Sequence, residues 1–133
     1  MHITLEADYA VRIVQCLARA QKRMDAKKIA EDTGVTLRFS LKILGKLVAG
    51  ELVKSFKGTK GGYELARSAD EISMADAIAA VEGKYALSRC CCETQDYQCS
   101  HNETCDCKFH HVFSEISQLV QERLEAVKFS ELI

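Results

Sequence analysis

Hydrophobic side chains recur at steps of three and four residues along most of this 133-residue chain, a period typical of α-helices. The first helix is predicted to begin after Thr4, and four hydrophobic residues follow on one face: Leu5, Tyr9, Ile13 and Leu17. A second helix is predicted from Asp25. Gly34 ends it, because glycine readily adopts the left-handed conformation of a helix C-terminus.

A third helix is predicted almost immediately afterwards, because only Val35 separates Gly34 from Thr36, a residue suited to cap a helix. This helix extends to Gly50, and its predicted buried side carries five aliphatic residues: Leu37, Leu41, Leu44, Leu47 and Val48. Two short helices joined by a tight glycine-containing turn form a helix-turn-helix, here the segment IAEDTGVTLRFSLKIL. The second helix of this motif enters the major groove of DNA.

A β-hairpin is predicted directly after the third helix. Leu52 and Val53 on one side and the stretch 63–65 on the other bracket a tip rich in glycine and lysine, residues 57–62. A hairpin that follows a helix-turn-helix is the wing of a winged-helix domain, and its basic tip would lie along a phosphate backbone or in the minor groove. The predicted fold class is therefore mainly α with a small β-hairpin.

Two further helices are predicted. Ser73, with Asp76 three residues later, caps a helix that continues through Val81 and ends at Gly83. The last helix is amphipathic, and at about 20 residues and about 30 Å it is longer than one small domain needs. It is predicted to form a dimer, with packing on its own domain as the alternative. The predicted regions are a winged helix-turn-helix domain, a cysteine-rich loop, and a dimerisation helix with a C-terminal tail: 1–83, 84–108 and 109–133.

Charge is distributed unevenly between the two halves. Residues 1–67 contain 13 Lys and Arg against 7 Asp and Glu, whereas residues 68–133 contain 5 against 12. A basic half suits a phosphate-binding surface, although a solvated charged face is the commoner explanation of such a pattern. On the third helix Arg38 is predicted to reach base edges, and Lys42 and Lys46 to reach phosphates. The full set of candidate DNA contacts is Thr36, Arg38, Phe39, Ser40, Lys42, Lys46, Lys57 and Lys60.

Composition narrows the class of protein. With 47% hydrophobic and 28% charged residues, the chain suits one compact domain, or one domain with an appended arm. No apolar run approaches the roughly 20 residues that span a membrane. The N-terminal MHITLEADYAVRIV is unlike a signal peptide, so we expect a cytoplasmic protein without membrane contact. We expect no enzyme, because no nucleotide-binding glycine motif and no acid–base constellation is present.

Six of the seven cysteines lie between residues 89 and 108. Cytoplasmic thiols stay reduced, so an odd total of seven cysteines, six of them close together, favours a metal site over a disulfide framework. Thiolates are soft ligands that hold iron–sulfur clusters or zinc. A third possibility has no metal, and the cysteines are then oxidised reversibly as a switch.

The chain resembles a known family, the bacterial IscR/NsrR/CymR-type winged-helix regulators. The resemblance lies in the segments MHITLEADYAVR, IAEDTGVTLRFSLKIL, LVKSFKGTKGGYELAR, ISMADAIAAVEG and FSELI. It implies a homodimeric repressor or activator with crossing C-terminal helices, and a dimer of this kind suits a palindromic DNA operator. It also implies control by an iron–sulfur cluster, 2Fe–2S rather than 4Fe–4S, that senses iron–sulfur status, redox state or nitric oxide. Zinc, or a thiol switch without a cluster, is the alternative.

The resemblance also implies a ligand set. In this family three spaced cysteines hold the cluster together with a histidine or with an acid from the partner's first helix. Two registers fit, since Cys92, Cys99 and Cys105 follow a C-x₆-C-x₅-C spacing and Cys107 and His110 follow a C-x₂-H spacing. The preferred ligands are Cys92, Cys99, Cys107 and His110, with Cys105 as the rival of Cys107. Cys90 or Cys91 could replace Cys92.

Asp8 stands at the position of the acid that the family draws from the partner subunit. The interpretation we favour for Asp8 is an exposed first-turn carboxylate, stabilised by the positive end of the helix dipole. A ligand role across a dimer stays open as the alternative.

Overall fold

A computed structural model describes residues 1–92 and 107–133. In this part of the chain the elements follow the order three helices, hairpin, two helices. The helices are α1 (Leu5–Ala20), α2 (Ala26–Thr33), α3 (Leu37–Ala49), α4 (Met74–Glu82) and α5 (Lys108–Ala126). The strands are β1 (Val53–Phe56) and β2 (Gly62–Leu65), and two 3₁₀ helices span Arg89–Cys91 and Phe129–Leu132. The predicted fold class is confirmed.

The predicted helix caps are present. The side chains of Thr4, Asp25 and Thr36 each accept a hydrogen bond from a backbone N–H three residues later. Gly34 ends α2 with φ of 69°, in the left-handed region. α2 and α3 therefore form the expected helix-turn-helix, because local backbone requirements decide where both helices begin and end.

The buried face of α1 differs from the prediction at its first turn. Leu5 is 58% exposed, whereas Ala7 and Ala10 are completely buried. Tyr9 packs against the core, and Ile13 and Leu17 lie within it. The predicted face of α1 is therefore buried except at Leu5, which lies outside the core.

The buried face of α3 is also rotated relative to the prediction. Leu37 and Leu41 are 46% and 47% exposed, so their predicted place in the core is wrong. The residues of α3 that pack inward are Ser40, Ile43, Leu44 and Leu47. These four span a face that already fills the space between α1, α2 and α4, so the two leucines are left outside it.

The wing is an antiparallel pair in which Val53 lies opposite Leu65 and Phe56 opposite Gly62. A third segment extends it, because Met24 and Tyr63 exchange backbone hydrogen bonds of 2.9 and 2.7 Å. The guanidinium of Arg23 lies 3.3 Å from the centroid of the Phe56 ring. The segment before α2 thus fixes the wing relative to the helix-turn-helix.

The C-terminal tail returns to the first domain. The backbone N–H of Phe129 donates to the carbonyl of Ile72 at 3.0 Å, and the Phe129 side chain is completely buried in the core. α4 begins with the predicted capping box of Ser73 and Asp76, and α5 packs on α4. The tail, which the sequence grouped with the dimerisation helix, therefore completes the core of the winged domain.

Among residues 1–92 and 107–133, the helices are all too short or too polar to cross a bilayer.

Candidate functional site

The exposed face of α3 carries the predicted basic residues, but two of them have partners. Arg38 is exposed to solvent. The ammonium groups of Lys42 and Lys46 both pair with the carboxylate of Glu6 on α1. Lys46 also donates to the Val81 carbonyl at 3.4 Å. In the DNA-free chain, the two lysines predicted to meet phosphates are thus held by an acidic residue of α1.

These two pairs dominate the ionisation of Glu6. Hydrogen bonds from Lys42, then from Lys46, lower the pKa of Glu6 from 4.5 to about 2. Glu6 is therefore ionised throughout the physiological pH range. Its negative charge offsets part of the positive potential along this edge of α3.

The remaining candidates on α3 have different surroundings. The Thr36 hydroxyl caps the helix by accepting from the N–H of Phe39 at 3.3 Å. Phe39 is 40% exposed and packs edge-on against Tyr9, with ring centroids 5.9 Å apart. Ser40 needs correction, because its side chain is completely buried and its hydroxyl donates to the Val35 carbonyl at 3.5 Å. Ser40 therefore belongs to the core and not to the DNA-facing surface.

The tip of the wing presents the other two candidates. Lys57 and Lys60 are both exposed. Arg23 donates from its guanidinium to the Lys60 carbonyl at 3.0 Å, and this bond ties the tip to the segment before α2. The basic tip is thus held in a defined position beside the helix-turn-helix.

A second group of candidate side chains lies where the 3₁₀ helix Arg89–Cys91 meets α5. The Sγ atoms of Cys90 and Cys91 and a ring nitrogen of His110 all lie within 4.8 Å of one another, and the three residues are half-buried. We call them the thiol–imidazole cluster. The two sulfurs are 3.8 Å apart. Ser114, one turn after His110, has its Oγ 3.3 Å from the Cys91 sulfur and 3.4 Å from His110 Nε2.

The two thiols of the thiol–imidazole cluster ionise differently. Contacts with the Ser88 hydroxyl, then with His110, lower the pKa of Cys90. Burial raises the pKa of Cys91, against the opposing effect of its hydrogen bond with Ser114. Cys90 is therefore the more readily ionised of the pair, and a thiolate is the form that binds metals.

The thiol–imidazole cluster has the donors and the spacing that a soft metal requires. A tetrahedral ion with metal–sulfur bonds of about 2.3 Å has sulfur ligands about 3.8 Å apart. The Cys90–Cys91 separation of 3.8 Å matches this edge, and the imidazole supplies a third donor. Thiolate and imidazole are ligands shared by zinc sites and by iron–sulfur centres.

Of the preferred ligands that lie in the described part of the chain, His110 belongs to the thiol–imidazole cluster, and Cys92 and Cys107 do not. Cys92 is exposed, and its thiol donates to the Ser88 carbonyl at 3.7 Å, outside the thiol–imidazole cluster. Cys107 directly precedes α5, and Cys99 and Cys105 lie outside the described residues. Within residues 1–92 and 107–133, the cysteines that join His110 in this cluster are Cys90 and Cys91, the two that sequence reasoning named only as substitutes. Residues 90–92 are three consecutive cysteines. The sequence alone does not predict which of the three thiols faces α5.

Asp8 is positioned as an ordinary surface carboxylate. It forms an ion pair with Arg12 at 2.7 Å, one turn later on α1, and both side chains are partly exposed. This pairing agrees with the interpretation of Asp8 that we favoured. It leaves the carboxylate partly exposed at the surface of α1.

Residues 3–133 match the model of a protein family described as Rrf2, iron-dependent transcriptional regulator. The chain is 33% identical to protein aau3 of Rhizobium meliloti (strain 1021) over 106 residues, which are 79% of this chain and 68% of that protein. It is 27% identical to the HTH-type transcriptional regulator IscR of Sodalis glossinidius (strain morsitans) over 139 residues, which cover all of this chain and 79% of that protein.

The fold is similar to that of a solved regulator. CymR, the global cysteine regulator of B. subtilis, superposes with a TM-score of 0.74 and 23% sequence identity, over 99% of this chain and 95% of that one. At this level of identity the likeness concerns the fold. It extends over the winged domain and α5 together.

Proposed function

The chain belongs to the Rrf2 family of transcriptional regulators, and we propose that it is a homodimer whose binding to operator DNA is controlled by an iron–sulfur cluster. Regulators of this family act by binding rather than by catalysis, which agrees with the expectation that the chain is not an enzyme. α3 would enter the major groove, with Arg38 near base edges. The wing tip would follow the phosphates through Lys57 and Lys60. A twofold dimer would read a palindromic operator in the cytoplasm.

The observation that supports an iron–sulfur cofactor is the thiol–imidazole cluster of Cys90, Cys91 and His110. Two thiols and an imidazole converge at the edge of the cysteine-rich segment, and the family's description is iron-dependent. Mixed cysteine and histidine ligation is known from 2Fe–2S centres, which favours that type over 4Fe–4S. We propose Cys90 and His110 as ligands, with Cys91 beside them. The further ligands would come from Cys99, Cys105 and Cys107, or from Asp8 of a second copy of this chain.

When bound, the cluster would supply a centre that responds to oxidants, nitric oxide or iron supply. The chain's own residues then couple the site to DNA. Cys90 and Cys91 lie in the 3₁₀ helix Arg89–Cys91, whereas His110 and Ser114 lie on α5, so ligation ties these two segments together. α5 packs on α4, and α4 packs on α3. A change in ligation would therefore alter how α5 packs on α4, and through α4 it would alter the position of α3.

The test is anaerobic purification followed by an absorption spectrum and by iron, sulfide and zinc analysis. We expect visible charge-transfer bands, with iron and sulfide in about equal amounts. Cys90→Ser and His110→Ala should bleach these bands. Cys92→Ser should keep most of the colour, as a matched control two residues away.

Three results would contradict the proposal in different ways. Loss of colour in Cys92→Ser but not in Cys90→Ser would support Cys92 as the ligand, as preferred from the sequence, in place of Cys90. A colourless protein that contains zinc would establish the zinc alternative. A protein without metal even after reconstitution would favour the thiol switch.

A further inference from the structure

Two leucine side chains are exposed on the helix that is proposed to enter DNA. Leu37 and Leu41 are 46% and 47% exposed, one turn apart in the first half of α3. α3 is already anchored in the core, because Ile43, Leu44 and Leu47 are completely buried. An exposed leucine pair on the outer face of a recognition helix therefore needs an explanation outside the core.

The outer face of α3 has two distinct flanks. With 100° per residue, Leu37 and Leu41 lie on one flank, and Lys42 and Lys46 lie on the opposite flank beside α1. Arg38 and Gly45 lie between the flanks, and both are exposed. A DNA-reading helix has this arrangement of charge when its cations reach phosphates on one side and its centre faces the bases.

Gly45 supports the close approach of an external surface. A Cβ added at Gly45 would meet no atom within 4 Å, so packing inside the chain does not require glycine there. Glycine in a helix interior lowers helix stability relative to alanine. A glycine without an internal packing reason, on the outward face of α3, is suited to a helix that seats deeply against another molecule.

The major groove offers one apolar partner for such leucines. Its floor carries hydrogen-bonding groups and a single hydrophobic group, the 5-methyl of thymine. We propose that Leu41, with Leu37 beside it, contacts a thymine methyl in each half-site and so determines part of the operator sequence. This inference rests on the proposed function, that α3 lies in the major groove.

A second copy of the chain is a poorer occupant of this face. Two α3 helices meeting there would bring Arg38 and the flanking lysines of both copies together, and like charges in contact disfavour association. DNA instead complements the cations and the leucines at once. The charge pattern around the leucines therefore favours a nucleic acid.

The experiment begins with selection of duplexes from a random library by the full-length chain. Each thymine of the enriched duplex is then replaced in turn by deoxyuridine, which removes only the 5-methyl group. We expect wild-type affinity to fall about fourfold at one thymine per half-site, the ratio for burial of a single methyl-sized group. Replacement at the other thymines should change affinity little.

Two protein variants test whether Leu41 is the side chain that senses the thymine methyl. Leu41→Ala should bring the thymine-to-deoxyuridine affinity ratio close to one at that position, while the salt dependence of binding, which reports phosphate contacts, stays unchanged. Ile133→Ala, which removes an exposed aliphatic side chain at the C-terminus, should keep the wild-type ratio.

The inference is overturned if no thymine is sensitive, or if Leu41→Ala keeps the discrimination. It is also overturned if Leu41→Ala lowers the oligomeric mass in sedimentation, since a second copy would then cover the leucines. Failure to bind any duplex would instead overturn the proposed function itself, and this inference with it.

Discussion

At the scale of single residues, Gly62 shows how a distant contact selects an amino acid. It has φ of 139°, and a Cβ there would lie 2.6 Å from the Met24 carbonyl oxygen. Met24 cannot withdraw easily, because it exchanges two backbone hydrogen bonds with Tyr63. The sequence predicted both Gly61 and Gly62 as part of the hairpin tip. In the structure, the close approach of Met24, in the segment before α2, requires glycine at position 62.

A pair of substitutions tests this requirement. Gly62→Ala should lower the free energy of unfolding by about 1–3 kcal/mol, because both the φ angle and the Met24 carbonyl disfavour a side chain. Gly45→Ala should raise it by about 1 kcal/mol, since the added methyl meets open space in a helix. Urea unfolding monitored by circular dichroism gives both values. Equal effects of the two substitutions would contradict the proposed role of Gly62.

At the scale of elements, α1 modulates the charge of α3. Glu6 pairs with both Lys42 and Lys46, which sequence reasoning had assigned directly to phosphates. Exposed ion pairs contribute little to stability, so this arrangement matters mainly for the potential that approaching DNA meets. If α3 enters the major groove as proposed, DNA would compete with Glu6 for these two lysines.

Removing that competitor should strengthen DNA binding. Glu6→Gln should raise the affinity for an unselected duplex several-fold at low salt. The salt slope should steepen by about 0.9 for each additional phosphate contact. Pairing with the two lysines holds the pKa of Glu6 at about 2, so the ion pairs are lost only as the pH falls towards that value. The gain in affinity from Glu6→Gln should therefore be constant between pH 5 and 8. Fluorescence anisotropy titrations at several salt concentrations measure both quantities.

Two controls accompany this measurement. Glu115→Gln, on the distant helix α5, should leave DNA affinity unchanged, and Lys57→Ala should weaken binding to all sequences alike. An unchanged affinity of Glu6→Gln would mean that Lys42 and Lys46 do not reach phosphates.

At the scale of the whole molecule, α5 has two apolar faces, and the described residues cover one of them. Phe113, Val120 and Leu124 are half-buried on the side that meets the first domain. On the other side four large apolar residues are 39–66% exposed: Phe109, Val112, Ile116 and Leu119. Their spacing of three, four and three residues is that of a helix–helix seam. We propose a second copy of α5 as the partner of this face, in line with the dimerisation helix predicted from the sequence.

Disrupting this seam should dissociate the dimer. Leu119→Glu places a charge in the exposed stripe, and we expect it to shift the sedimentation-equilibrium mass from twice the 14.8 kDa chain mass to the monomer value. Affinity for a palindromic duplex should fall at the same time. Gln118→Glu adds the same charge at a neighbouring exposed position and should leave the mass unchanged. A Leu119→Glu protein that stays dimeric would exclude the α5 seam.

Local chemistry alone determined the helix caps, the helix-turn-helix, the wing and the amphipathic character of α5. Each of these depends on backbone conformation and on hydrogen bonds within a few residues, so Thr4, Asp25, Thr36 and Ser73 could be recognised directly. The family resemblance, carried by the same segments, predicted the class of regulator and is confirmed.

Only the tertiary structure decided which faces are buried and which distant residues meet. Leu37 and Leu41 are as hydrophobic as the buried Leu44 and Leu47, and what separates them is the direction from which α1, α2 and α4 pack on α3. The position of Cys90 and Cys91 beside His110, and of Phe129 in the core, likewise depends on where α5 lies. Periodicity reports that a helix is amphipathic, but burial is a property of neighbours that the local sequence does not contain.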